Sequence, residues 1–321
     1  MKKILAIVLA LTLILALGAS AFAADYPSKQ ITVICPYAAG GASDTICRIF
    51  AEGLQEELGV PVVVQDVTGA AGSVGFETGA SADPDGYTVT YLSAEITINK
   101  LMGYTEMTPD NYEFLGRNMI LPPVIAVSAN SEFETLQDLL DAAAATPNAV
   151  TMGLSSLGSF YHIGALKLQT AADVSFTYVP FSDGTATAVA AVMGGSVKSV
   201  VAGTSEIKSY ADSGDVRVLA VLADERSATF PDVPTAKELG YDAVSATWGV
   251  FAVPLGTPDD VLEVLRDAAK KVIEGDAMVE VLNSRGFENA YLPGPEMKEL
   301  ANQILADNEE ILTTFGLIDA E

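Results

Sequence analysis

Cysteine, histidine and tryptophan are scarce in these 321 residues: two, one and one respectively. With His162 as the sole histidine, most zinc constellations and any Ser-His arrangement not centred on it are removed. Cys35 and Cys47 show no metal-ligand spacing. They read as small buried hydrophobes, with a disulfide between them as the alternative. Basic side chains are few as well, 17 Lys and Arg against 42 Asp and Glu. That balance argues against nucleic acid and anionic membrane surfaces as partners. It does not argue against a small anion, because exposed charges are screened beyond about 8 Å at physiological salt. A Gly-x-Ser-x-Gly elbow, a Walker loop and a dinucleotide fingerprint are all missing, and no carboxylate pair is set apart by its surroundings. The expectation is a protein without enzymatic activity, metal or cofactor.

Long apolar runs are missing except at the start. Met1-Lys2-Lys3, an apolar stretch from Ile4 to Leu17 and the ending Ala21-Phe22-Ala23 read as a secretory signal peptide cleaved after Ala23. A membrane anchor is the alternative, but the stretch is short of the ~20 residues that span a bilayer. Taking 23 from 321 leaves 298 residues, and the loss of Lys2 and Lys3 moves the formal net charge from −25 to −27. A chain of that length suits two lobes, placed outside the cytoplasmic membrane.

What is present is alternation. Strands are expected over 31–35, 62–65, 88–92, 124–128, 150–153, 176–180, 198–201, 216–222 and 244–253. Helices are expected over 43–58, 136–145, 159–169, 185–193, 206–211, 258–274, 277–284 and 295–314. This pattern predicts α/β layers with largely parallel pairing. Two proline-flanked apolar segments, Leu121–Val127 and Trp248–Val253, suit crossings between lobes. They divide the chain into a discontinuous first lobe, 24–123 plus 251–321, and a second lobe, 124–250. Buried strands of a single domain are the alternative reading.

Four strand-to-helix loops carry small residues and hydrogen-bond donors. The first is Pro36-Tyr37-Ala38-Ala39-Gly40-Gly41-Ala42-Ser43-Asp44, where Gly40 and Gly41 admit positive φ and Ser43 or Asp44 caps a helix. The second, Thr68-Gly69-Ala70-Ala71-Gly72-Ser73, has a hydroxyl at each end. The third holds Ser155, Ser156 and Ser159 and leads into the helix bearing His162. The fourth is Phe181-Ser182-Asp183-Gly184-Thr185. Unpaired amides and the positive end of a helix dipole attract anions, and ligands of open α/β sheets bind at the carboxyl ends of strands. Singly, each loop reads as an ordinary turn; together they make a pincer for a small acid.

With these motifs in order, the mature chain resembles the extracytoplasmic solute receptors of tripartite tricarboxylate transporters, the Bug-type receptors. The resemblance rests on Tyr26-Pro27-Ser28-Lys29 with the first loop, on Gly69–Gly72, and on Pro84-Asp85-Gly86-Tyr87-Thr88. It continues through Gly158-Ser159 with His162, Val179-Pro180-Phe181 with Gly184, Pro231–Thr235 and Gly256-Thr257-Pro258. It implies the type II periplasmic-binding-protein fold, two α/β lobes joined by two crossing strands and closing over one small organic acid. Carried over by position, the acid-holding donors are Gly41, Ala42, Ser43 and Asp44, then Ser155, Ser156 and Ser159, then Ser182 and Gly184. Gly69–Gly72 and Thr204-Ser205 are placed to close the pocket. Where the family commonly has Asn-Arg-Pro, this chain has Gln65-Asp66-Val67-Thr68, and where it commonly has Lys-Gly-Gly, this chain has Ser182-Asp183-Gly184. A basic group is lost and an acid gained, which favours a monoacid, an amino acid or another ligand with an ammonium group. Glu95 is a candidate to answer such a group. The expected partners are a small carboxylate-containing solute and integral membrane permease subunits, the protein itself being a monomer. A receptor that signals through a membrane sensor is the alternative.

Overall fold

The computed structural model describes residues 26–181 and 183–319; the expected signal segment and Ser182 lie outside the described residues. The strands are β1 (Ile31–Cys35), β2 (Val62–Asp66), β3 (Thr88–Ser93), β4 (Tyr112–Leu121), β5 (Pro123–Ser128), β6 (Thr151–Leu154), β7 (Thr177–Pro180), β8 (Ser199–Gly203), β9 (Val216–Val221), β10 (Thr247–Pro254) and β11 (Glu288–Pro293). The helices are α1 (Ala42–Leu58), α2 (Ser73–Ala80), α3 (Leu136–Ala145), α4 (Phe160–Ala172), α5 (Thr185–Met193), α6 (Thr204–Asp212), α7 (Asp259–Glu274), α8 (Asp276–Ser284) and α9 (Gly294–Thr314). They build two sheets, one ordered β11-β4-β10-β3-β1-β2 and the other β7-β6-β8-β5-β9.

Largely parallel pairing was the expectation, and here the structure corrects it: both sheets are mixed. β3, β1 and β2 are parallel neighbours, and so are β7, β6 and β8. β10, β4 and β11 pair antiparallel, as does β5 with both β8 and β9. At Pro122 the chain leaves β4 in the first sheet and enters β5 in the second. β10 pairs in the first sheet over its whole length, from Thr247 to Pro254.

Each sheet is covered on both faces. Phe251 and Val253 of β10 pack with Ile46, Phe50, Leu262 and Leu265 from α1 and α7. Trp248, Val250 and Ala252, one step out of phase, pack on the opposite face with Phe76, Met297 and Leu312. That is the two-residue period of a strand buried on both sides. Phe160 and Ile163 of α4 join the latter cluster, so the two lobes share apolar surface there. α1 buries Ile46, Cys47, Phe50 and Leu54 on one stripe and stops at Gly59, whose left-handed φ of 70° releases the chain toward Pro61. Cys35 and Cys47 are free and buried in the first core.

Candidate functional site

The parallel trio of each sheet carries the candidate loops at its carboxyl ends. Those after β1, β2 and β3 belong to the first sheet, and those after β6, β7 and β8 to the second.

The first loop is organised by Asp44. Gly40, at φ 81°, turns its amide onto Asp44 Oδ2 at 2.7 Å, while Oδ1 pairs with the Arg48 guanidinium at 2.7 Å. Arg48 also reaches Asp66 at 3.3 Å. Burial would raise the Asp44 carboxyl, but the Gly40 amide and Arg48 reverse this and hold it below the ordinary carboxylate range. Asp44 is thus an internal acceptor, 4 % exposed, and orients an amide. Gly41 donates to Ala38 O at 3.2 Å. Beyond it, the amides of Ala42, Ser43 and Asp44 have no acceptor among the described residues. These three N–H groups open the helix dipole of α1, where a carboxylate oxygen is stabilised.

The second loop has positive φ at four successive residues. Gly69, Ala70, Ala71 and Gly72 have φ of 138°, 45°, 53° and 94°. Two alanines in the left-handed region store strain of order 1 kcal/mol each. Asn99 holds the turn, donating to Ala71 O at 3.0 Å and to Ser73 Oγ at 2.9 Å. A side chain at Gly72 would come within 3.2 Å of the Tyr37 hydroxyl, so that glycine lets the two loops meet. Tyr37 in turn contacts Ser93 Oγ and donates to Glu95 Oε2 at 3.4 Å. Burial, then the Glu95 charge, raises the Tyr37 pKa well above the usual phenol value.

In the second lobe Ser159 caps α4, accepting from the His162 amide at 3.3 Å and donating to Ser156 O at 2.7 Å. His162 is a loop brace. Its Nδ1 accepts the Gly158 amide at 3.0 Å, and burial lowers its pKa to about 4, so it is neutral with its proton on Nε2. The Phe160 and Tyr161 amides have no acceptor among the described residues. Phe181 packs against Gly153 and donates its amide to Leu154 O at 2.8 Å, so its ring is partly core. Asp183 is exposed. Gly184, at φ 100°, caps α5. The amide of Thr204 is engaged by Pro122 O at 3.1 Å and its hydroxyl is fully buried, so Thr204 packs at the crossing.

The lobes approach one another across these loops. Met102 lies within 3.5 Å of the position a side chain at Gly158 would take, and Gly286 abuts Ser205. Tyr161, whose hydroxyl binds Glu206, also feels the charge of Glu95 from the other lobe. Arg48, Ser93, Tyr161 and Glu206 lie outside every sequence motif of the four loops. Only Glu206 carries a local sign, since it binds the Gly203 amide from the third position of α6.

The family model described as "Tripartite tricarboxylate transporter family receptor" matches residues 46–317. Protein BugT of Bordetella pertussis is 29% identical over 293 residues, 89% of either chain. A TctC solute binding protein from Polaromonas superposes with a TM-score of 0.86 at 29% identity, over 90% of this chain and 99% of that one. A Rhodopseudomonas palustris protein with adipate gives a TM-score of 0.69 at 25% identity, over 91% and 99%.

Proposed function

Because this chain belongs to the tripartite tricarboxylate transporter receptor family, we propose that it captures a small carboxylated metabolite, an organic acid or an amino acid, and delivers it to membrane permease subunits. Members of the family are periplasmic solute-binding proteins, and the chain is accordingly a two-lobed receptor and not an enzyme. The ligand, the permease, the monomeric state and the export signal cleaved after Ala23 are parts of this proposal. So is a lobe division at 123/124 and near 250; the pairing of β10 favours moving the second boundary to the start of that strand.

The observation that carries the reading is the run of three unpartnered amides, Ala42 to Asp44, at the head of α1. No Lys or Arg occurs in the four loops, so peptide dipoles supply the attraction for a carboxylate. The opposing donors come from Ser155, Ser156 and the start of α4, whereas the Gly184 amide is taken up by Phe181 O at 2.9 Å. The lobes close on the ligand by hinging at the two crossings, stabilised by its greater affinity for the closed form. The adipate seen with the Rhodopseudomonas palustris relative supports an acid as ligand.

The test is a thermal-shift screen of the mature protein against organic and amino acids. A ligand at 100 times its Kd adds about 2.7 kcal/mol of stability, a shift of several degrees. Ser43→Pro deletes one of the three amides at a first-turn position that tolerates proline. Gly41→Val adds bulk where a Cβ already lies 3.1 Å from Ala38 O. Both variants should fold and lose the shift; retention of the full shift in both refutes the site.

A further inference from the structure

A cavity of about 550 Å³ lies beside the crossings, between α4 of the second lobe and α9 of the first. None of its lining residues belongs to the four loops. Its apolar wall is made by Ile120, Phe160, Trp248 and Ile304, and two cations, Arg117 and Lys167, reach it as well. Its size falls in the range of small-molecule sites, roughly 300–1,000 Å³.

In this wall one buried donor lacks a hydrogen-bond partner and one cation lacks a counter-ion among the described residues. Trp248 is 2 % exposed, and its indole N–H has no hydrogen-bond partner among the described residues. Arg117 donates Nε–H to Ala290 O at 2.8 Å, but its guanidinium makes no ion pair among the described residues. Burial lowers its pKa, and no carboxylate opposes that shift. A half-buried cation without a counter-ion is unfavourable and unusual in a chain so rich in acids. Lys167 differs: it donates to Val244 O at 3.1 Å, and Asp307 and Asp242 partly offset its desolvation. The pairing of β4 with β10 sets Arg117 opposite Val250 and Ile120 opposite Trp248, so the unpaired guanidinium charge and the indole are near neighbours on adjacent strands.

We infer that this cavity is a second binding site, for a monoanionic carboxylate with a hydrocarbon body. The Arg117 guanidinium and the Trp248 indole N–H hold the carboxylate, and the apolar wall takes the chain. The lining also carries Asp224, Asp242, Asp307 and Glu310 against the two cations, so it admits only a single negative charge held directly on Arg117 and repels a second. Apart from Phe160, which begins α4, the cavity shares no residue with the candidate acid site.

Trp248 is the chain's one tryptophan, so its fluorescence reports on this cavity. Titrating the mature protein with octanoate should give a saturable emission change, with octan-1-ol at least about tenfold weaker because it leaves the cation unpaired. Arg117→Gln should bring octanoate down to the level of the alcohol, Arg117→Lys should recover part of the loss, and Ser43→Pro should change nothing. The absence of a saturable signal, equal affinity for octanoate and octanol, or unchanged octanoate binding in folded Arg117→Gln would each overturn the proposal. Should Arg117→Gln not fold, the acid-to-alcohol ratio on the unmodified protein decides alone.

Discussion

Asp44 and Gly40 form a closed pair at the head of α1, the glycine amide donating to the carboxylate at 2.7 Å. The acid therefore shapes the loop from inside and is not placed to meet the proposed ligand. It engages the Gly40 amide and leaves the next helix amides, Ala42 to Asp44, free to point outward. Replacing it with alanine orphans the Gly40 amide and leaves Arg48 with Asp66 alone. Asp44→Ala should lose about 2 kcal/mol in urea denaturation, the scale of a hydrogen bond to a charged group. The carboxyl is held below its ordinary value in the folded state. Its contribution is thus present above the unfolded carboxylate pKa and lost as pH falls through the lower folded value. The stability difference between wild type and Asp44→Ala should narrow accordingly in acid, and a constant gap would contradict the pairing.

His162 gives a second acid dependence, at higher pH. Burial depresses its pKa to about 4 while the Gly158 amide occupies Nδ1. An unfolded histidine titrates near 6.5, so between those values the unfolded chain binds the extra proton. Stability from neutral His162 is complete above about pH 6.5 and drains away toward pH 4, by up to about 3 kcal/mol. Denaturation midpoints of wild type and His162→Asn, compared from pH 7.5 to 4.5, should converge as the pH falls. Parallel curves would show that the imidazole is not held neutral.

How far this architecture is legible in sequence depends on what marks each element. α3 is read to the residue because Thr135 and Asp138 cap one another and its apolar period is regular. α2 is missed because Gly75 and Gly79 lower its helix propensity; both are needed where the helix crowds Pro36 and Thr90. β11 is missed because all six of its residues are half-buried and a register shift breaks its pairing between Asn289 and Leu292. Strand direction is not encoded in period, so the antiparallel halves of both sheets escape a reading based on alternation. The glycine loops of the candidate site are readable because positive φ favours glycine, as at Gly40, Gly69, Gly72 and Gly184, whereas Ala70 and Ala71 adopt it without any such sign. Tyr161 and Glu206 are not, since their contact spans 45 residues and no local rule joins them.

Gly286 bears on closure. It follows α8 at φ 72°, and a methyl there would overlap Ser205 Cβ and sit 3.0 Å from its Cα. Gly286→Ala should therefore hold the lobes apart and weaken ligand binding by about tenfold or more. It should also destabilise the free protein by about 1 kcal/mol through the left-handed conformation. Adding Ser205→Gly should restore affinity while leaving that backbone penalty in place. The double variant separates the two effects, and unrestored affinity would mean that this contact does not govern closure.

The position of Glu95 predicts which acid should bind more tightly. It stands in the turn after β3, with the Tyr37 hydroxyl donating to it at 3.4 Å and Ser93 beside that hydroxyl. The four loops offer a carboxylate only peptide and hydroxyl donors, and Arg48 is already held between Asp44 and Asp66. A second carboxylate on the ligand would meet the Glu95 charge without a neutralising cation, whereas an ammonium group would be attracted to it. Zwitterionic amino acids should accordingly bind more tightly to wild type than dicarboxylates of the same length. Glu95→Gln should reverse the order, losing about tenfold for amino acids and gaining for dicarboxylates, a swing read directly by calorimetric titration of matched pairs. If the variant leaves both affinities where they were, the Glu95 charge does not reach the bound solute, and selection lies elsewhere in the cleft.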